Sequence, residues 1–228
     1  MKKMSLFLLS VMLLIACENQ PADDHGVIPD LSSYEIGKMH NEALAYYHSK
    51  NTDLVAPDEV MRFMEDFLIS NKNLDREIVM EGTKKIMSTP EYNLMFNSKS
   101  SIDQNNILAY LDAVKKNMNA SDKLINTLRQ AFVLGVEASP AEAKLFIINN
   151  IQNRSWSGID KDLAYVFSDV FLHSYDYWTK TTEKKLKKST LIILYDAGGA
   201  IHGMIFGPIF SIIESAALSA VVSEKYPE

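Results

Sequence analysis

The chain has 228 residues, of which 47% are hydrophobic and 23% charged, enough to build a full hydrophobic core in one domain or two tightly packed subdomains. Its net charge of −6 excludes a nucleic-acid binder that works through a basic surface, because phosphates demand an excess of Lys and Arg. Cys17 is the only cysteine, so no intrachain disulfide can form and packing must hold the fold.

The N-terminus carries Lys2 and Lys3, then an apolar run from Leu6 to Ile15, the charged-then-apolar order of a secretory signal. That run is too short to span a bilayer, which takes about 20 apolar residues. Residues Leu14-Ile15-Ala16-Cys17 resemble the lipobox of bacterial lipoproteins, where a small residue precedes the acylated cysteine. The resemblance implies that residues 1–16 are a signal peptide, that cleavage falls before Cys17, and that the Cys17 thiol takes a fatty acyl chain such as palmitate. The alternatives are an ordinary signal peptide with an incidental cysteine, or a short N-terminal anchor. Net charge becomes −8 once Lys2 and Lys3 leave with the signal.

Residues 17–32 read as the lipidated cysteine and a flexible tether, since Glu18 to Gly26 is polar and lacks apolar periodicity. Acidic residues behind the cysteine resemble the export signal that sends some lipoproteins of the Bacteroidota to the cell surface; a plain solvated linker has the same composition. The remaining 33–228 is expected to be a single helical domain.

Ile36, Met39, Ala43, Leu44 and Tyr47 recur on a 3.6-residue period and predict a helix over Ser33 to His48. Pro57, Asp58 and Glu59 mark a second helix start, with an apolar face from Val60 to Leu68 behind it. Ser101 with Gln104, and Ser139 with Glu142 behind Pro140, have capping-box spacing. Behind them follow Ile107, Leu108, Leu111 and Val114 in one helix, and Leu145, Phe146, Ile148, Asn149 and Ile151 in the other. Ser121 opens a further stripe of Leu124, Ile125, Leu128, Ala131 and Phe132. Ser155-Trp156-Ser157-Gly158 reads as a loop, followed by a helix carrying Leu163, Val166, Phe167, Val170, Phe171 and Trp178. No run alternates as a strand would. The expected class is all-α, a multi-helix bundle.

Gly199, Gly203, Gly207, Ser211, Ser215 and Ser219 are spaced by four, so on a helix they form a ridge with almost no side-chain bulk. This glycine-zipper pattern predicts a closely packed C-terminal helix or helical hairpin, with a break near Gly207 because Pro208 removes a backbone donor. Burial in the domain core is the leading reading of the ridge. The rival is a membrane-active or toxin-immunity type protein whose C-terminal segment inserts, suggested by Lys180, Lys184, Lys185, Lys187 and Lys188 ahead of the apolar stretch Leu191 to Ile213. Asp196, His202 and Glu214 count against insertion.

Asp169, His173 and Asp176 lie at i, i+4 and i+7 and would share one side of a helix, as weak candidates for a metal or acid–base site in a hydrolase or metal-dependent enzyme. One helix face supplies too few ligands, and a structural or solvated role is expected. His40, Asn41 and Glu42 are consecutive and splay around their helix, forming no site by themselves. There is no nucleophile elbow, phosphate-binding loop, dinucleotide fingerprint or paired-cysteine zinc motif, so no cofactor, metal or catalytic residue is assigned.

The lipobox, the stretch Gly37-Lys38-Met39-His40-Asn41-Glu42-Ala43-Leu44, and Asp196-Ala197-Gly198-Gly199-Ala200 leading into Gly207-Pro208 resemble helical lipoproteins of the Bacteroidota without an assigned activity. The resemblance implies an exported protein held in the cell envelope, at the outer membrane on its periplasmic face or the cell surface, and carries over no functional residues. The expected function is a non-catalytic module that meets the membrane through its N-terminal lipid and binds an envelope protein or other ligand.

Overall fold

Ten α-helices make up most of the described residues, which in this computed structural model are 35–50, 54, 56–97, 104–181 and 186–225. In order they are α1 (Ile36–Ser49), α2 (Pro57–Lys72), α3 (Arg76–Met87), α4 (Pro90–Asn97), α5 (Gln104–Met118), α6 (Asp122–Glu137), α7 (Pro140–Ile147), α8 (Ile159–Thr181), α9 (Leu186–Gly203) and α10 (Pro208–Lys225). The class is all-α, with no strand among the described residues.

Capping chemistry explains several of the starts. Pro57 opens α2 at a position whose N–H has no partner in any helix, with Asp58 and Glu59 in the first turn. Asp75, Ser121 and Ser139 each offer a side-chain oxygen to a backbone N–H one turn on, that of Ile78, Leu124 and Glu142 respectively, at 3.1 Å in all three cases. The Ser101 cap lies outside the described residues.

The α9–α10 hairpin is the middle of the fold. The two helices pack most extensively on each other; α9 then meets α8, α5 and α6, while α10 meets α1, α2 and α3. Helix α1 lies against both α8 and α10. This central place explains why nearly every position from Ser189 to Met204 and from Phe210 to Val222 is buried, whereas outer helices bury one stripe. No helix among the described residues is long and apolar enough to cross a membrane.

Three details differ from the sequence reading. Helix α1 starts at Ile36, because Glu35 takes a left-handed φ of 44°. The pair α3 and α4 has no counterpart in the sequence reading. The run behind Ser139 is not one regular helix: α7 ends at Ile147 and passes into a π-helical turn, Ile148–Gln152, closed by Asn153 N–H donating to the Ile148 carbonyl at 3.0 Å. Ala143, Ile147 and Ile151 face the core at i, i+4 spacing, which leaves Leu145 61% exposed.

Candidate functional site

The small-residue ridge folds back on itself. Gly207 holds φ at 123°, outside the range of ordinary side chains, and Pro208 becomes the first residue of α10. Gly199 and Gly203 then lie on α9 facing Ser215 and Ser211 on α10. A Cβ at Gly199 would meet the Leu218 side chain at 2.7 Å and the Ser215 Cα at 3.1 Å. At Gly203 it would meet the Phe210 carbonyl carbon and the Ser211 nitrogen, both at 2.6 Å, which are backbone atoms with nowhere to move.

This close approach encloses two polar clusters. In the first, Asp196 of α9 is wholly buried, and its Oδ2 accepts from Ser174 Oγ of α8 at 2.5 Å and Ser219 Oγ of α10 at 2.9 Å. Trp178 Nε1 donates to Ser219 Oγ at 3.3 Å. His40 of α1 brings Nε2 to 3.4 Å from the same carboxylate oxygen, while its Nδ1 faces Asn41 Oδ1 at 3.0 Å. Four helices thus meet through one carboxylate. Because Asp196 is the hub and the serines bond to it rather than to His40, this is no relay that activates a nucleophile.

In the second cluster, His202 Nδ1 meets both carboxylate oxygens of Glu214, at 2.8 and 2.9 Å, and the imidazole stacks on Tyr110 with ring centroids 4.2 Å apart. Burial acts to lower the His202 pKa, but the Glu214 carboxylate outweighs it and the net direction is upward. Burial first, and then the same carboxylate, push the Tyr110 phenol far above its ordinary value. Both clusters are closed to solvent and serve to pin helix packing.

The candidate site that a ligand can reach lies elsewhere. The π-helical turn and the 153–158 loop stand away from α8 and leave a cleft of about 460 Å³, walled by Ile151, Gln152, Arg154, Ser155 and Trp156 on one side. Lys161, Ala164, Tyr165, Ser168, Asp169, Leu172 and His173 of α8 form the other side, two neighbouring ridges of i, i+4 spacing. Trp156 is held in place: its Nε1 donates to the Ile151 carbonyl at 2.9 Å, and the Lys123 ammonium and Arg154 guanidinium lie 5.2 and 5.8 Å from its ring centroid.

The floor of the cleft is tied to α1. Gly37 N–H donates to Asp169 Oδ2 at 2.7 Å, and Asp169 Oδ1 lies 3.2 Å from His173 Nδ1. His173 Nδ1 also faces the Asp169 carbonyl at 2.9 Å, so the ring is fixed by its Nδ1 edge. The hydrogen bond to Asp169 raises the His173 pKa against the opposing effect of partial burial. A Cβ on Gly37 would strike the Asp169 carbonyl oxygen at 2.5 Å and His173 Nδ1 at 2.6 Å. Ser168 is 3% exposed and its Oγ has no hydrogen-bond partner among the described residues.

Of the weak metal candidates, Asp169 and His173 come together, whereas Asp176 turns out of the cleft to pair with Lys144 at 3.2 Å. Among the described residues no group of three or more His, Cys, Asp or Glu is placed to hold a metal ion. Cys17 lies outside the described residues, as do Lys184 and Lys185. Sequence reasoning missed Arg154, Trp156, Lys161 and Ser168, and treated residues 155–158 only as a connection. A large aromatic residue in a loop between two cations was the signal available. No protein-family model, curated protein or solved structure matches the chain.

Proposed function

We propose that this protein is a lipid-anchored envelope lipoprotein, held at the bacterial outer membrane through Cys17, whose helical domain is a non-catalytic binding module with its ligand site at the Trp156 cleft. The observation that carries this reading is the cleft itself. Its size is that of small-molecule sites, its walls mix apolar and polar side chains, and it sits over a π-helical turn, a deformation that recurs at functional sites. A binding role is favoured over nucleophilic catalysis because no hydroxyl or thiol among the described residues hydrogen-bonds the His173 ring, which is held by Asp169. A binding role is favoured over membrane insertion because extracting α9 and α10 would expose Asp196, His202 and Glu214 to lipid.

Two measurements test the reading. Metabolic labelling with a fatty-acid analogue should mark the wild type and leave Cys17→Ala unmarked; persistent label on Cys17→Ala would end the anchor. A screen of small organic fragments, followed by ligand-observed NMR, should yield saturable binders that Leu172→Trp, which fills the cleft, no longer takes. Absence of any such binder would end the cleft as the ligand site.

A further inference from the structure

Seven of the fifteen Lys and Arg side chains among the described residues face a carboxylate, among them Lys38 with Glu35, Lys85 with Glu81, Lys115 with Asp122, Arg129 with Asp112 and Lys144 with Asp176. The two on the cleft do not. Arg154 has only the Trp156 ring, and the Lys161 ammonium has no carboxylate within ion-pair distance among the described residues. The single carboxylate lining the cleft, Asp169, is already engaged by Gly37 N–H and His173, which cancels much of its repulsion toward an incoming anion. Ser168 adds to the same wall a buried hydroxyl without a partner among the described residues.

We infer that the Trp156 cleft takes a small organic anion, with the acid group between Arg154 and Lys161 and a ring or compact apolar body against Trp156 and Leu172. This rests on the cleft being the ligand site and names the ligand's class. A guanidinium matches a carboxylate or phosphate through two parallel hydrogen bonds, and an indole face suits a flat apolar body. A long polyanion is excluded, because two cations on a chain of net charge −6 cannot repay bringing many phosphates close. The volume of about 460 Å³ admits a one- or two-ring acid and not a folded segment.

The test uses the full chain in phosphatidylcholine nanodiscs and four probes read by isothermal titration calorimetry: phenylacetate, phenyl phosphate, the neutral phenylacetamide, and inorganic phosphate. At least one aryl acid should bind about tenfold tighter than the amide and than inorganic phosphate, and the better acid tells carboxylate from phosphate. Arg154→Gln combined with Lys161→Gln should remove that tenfold advantage of the acid over the amide. Equal affinity for acid and amide, or an acid preference that survives the double substitution, overturns the inference while leaving the cleft as a ligand site. Inorganic phosphate binding as well as the aryl acids overturns the role of the ring.

Discussion

Polar groups are used in opposite ways in the α9–α10 hairpin and at the α8 cleft. At the hairpin, Asp196 accepts from Ser219 and from Ser174 of α8, and His202 bonds to Glu214, so the main partner of each of these groups is another part of the fold. Asp196 Oδ1 and Ser211 Oγ are sealed in without a hydrogen bond among the described residues. Along the cleft, and among the described residues, Arg154 and Lys161 remain without ion partners and Ser168 without a hydrogen bond. A group that spends its hydrogen bonds on the fold specifies packing, and a group that keeps them is free to specify a ligand. Substitutions should therefore separate the regions: changes in the hairpin should move stability, and changes at the cleft should move binding.

The largest effect is expected at Asp196, since Asp196→Ala strips the shared acceptor from two buried hydroxyls and from His40. A loss of about 3 to 5 kcal/mol in urea unfolding is expected, the size seen when one partner of a buried polar pair is deleted. A loss near that of a surface substitution would mean that the cluster does not pin the four helices. Next comes Gly203→Val, whose Cβ meets backbone rather than a yielding side chain. Overpacking of about 1 to 3 kcal/mol is expected, toward the upper figure, from thermal unfolding. Gly199→Ala, where the nearest atom is the end of Leu218, should cost less, and the reverse order would contradict the hairpin geometry.

A third prediction uses pH. The His202 pKa is raised above its ordinary value of 6.5, so its pairing with Glu214 contributes in full below about pH 6.5 and is lost as pH rises through the folded-state value. Within that window the wild type should lose stability relative to His202→Gln by up to about 1.4 kcal/mol per pH unit. Denaturant melts of both proteins between pH 6 and 8.5 check it, and a difference independent of pH would show that the pair carries no extra proton. His173, also raised by its partner Asp169, is present in both proteins and cancels.

A smaller effect is expected from Ser139→Ala, which removes the cap on α7 and should cost about 1 kcal/mol. Smallest of all should be Arg154→Gln, exposed and without an ion partner, within about 0.5 kcal/mol of wild type in thermal unfolding. A large loss there would place Arg154 with the hairpin residues, as a structural group.

Helix α2, the capped starts of α6 and α7, and the break before Pro208 were legible because each rests on neighbours in sequence: a proline, an acidic first turn, or a serine one turn ahead of its N–H. Helices α3 and α4 were not read, since short helices that show the core only Val79, Gly82, Thr83 and Ile86, or Tyr92, Met95 and Phe96, carry too few apolar repeats to stand out. Of the cleft, the spacing of Asp169 and His173 was visible and its use was not.

By itself the sequence determined the helical class, the small-residue ridge and the turn that splits it, because periodicity, bulk and backbone freedom are local properties. Only the tertiary structure decided what Asp196, His202 and Glu214 face, since their partners lie on other helices: Ser174 is 22 residues and His40 156 residues from Asp196 in the chain. The cleft was decided in the same way. Arg154, Trp156 and Lys161 acquire a shared function only when a π-helical turn carries their loop past α8, and the width left between loop and helix is a property of packing that no pattern in the chain encodes.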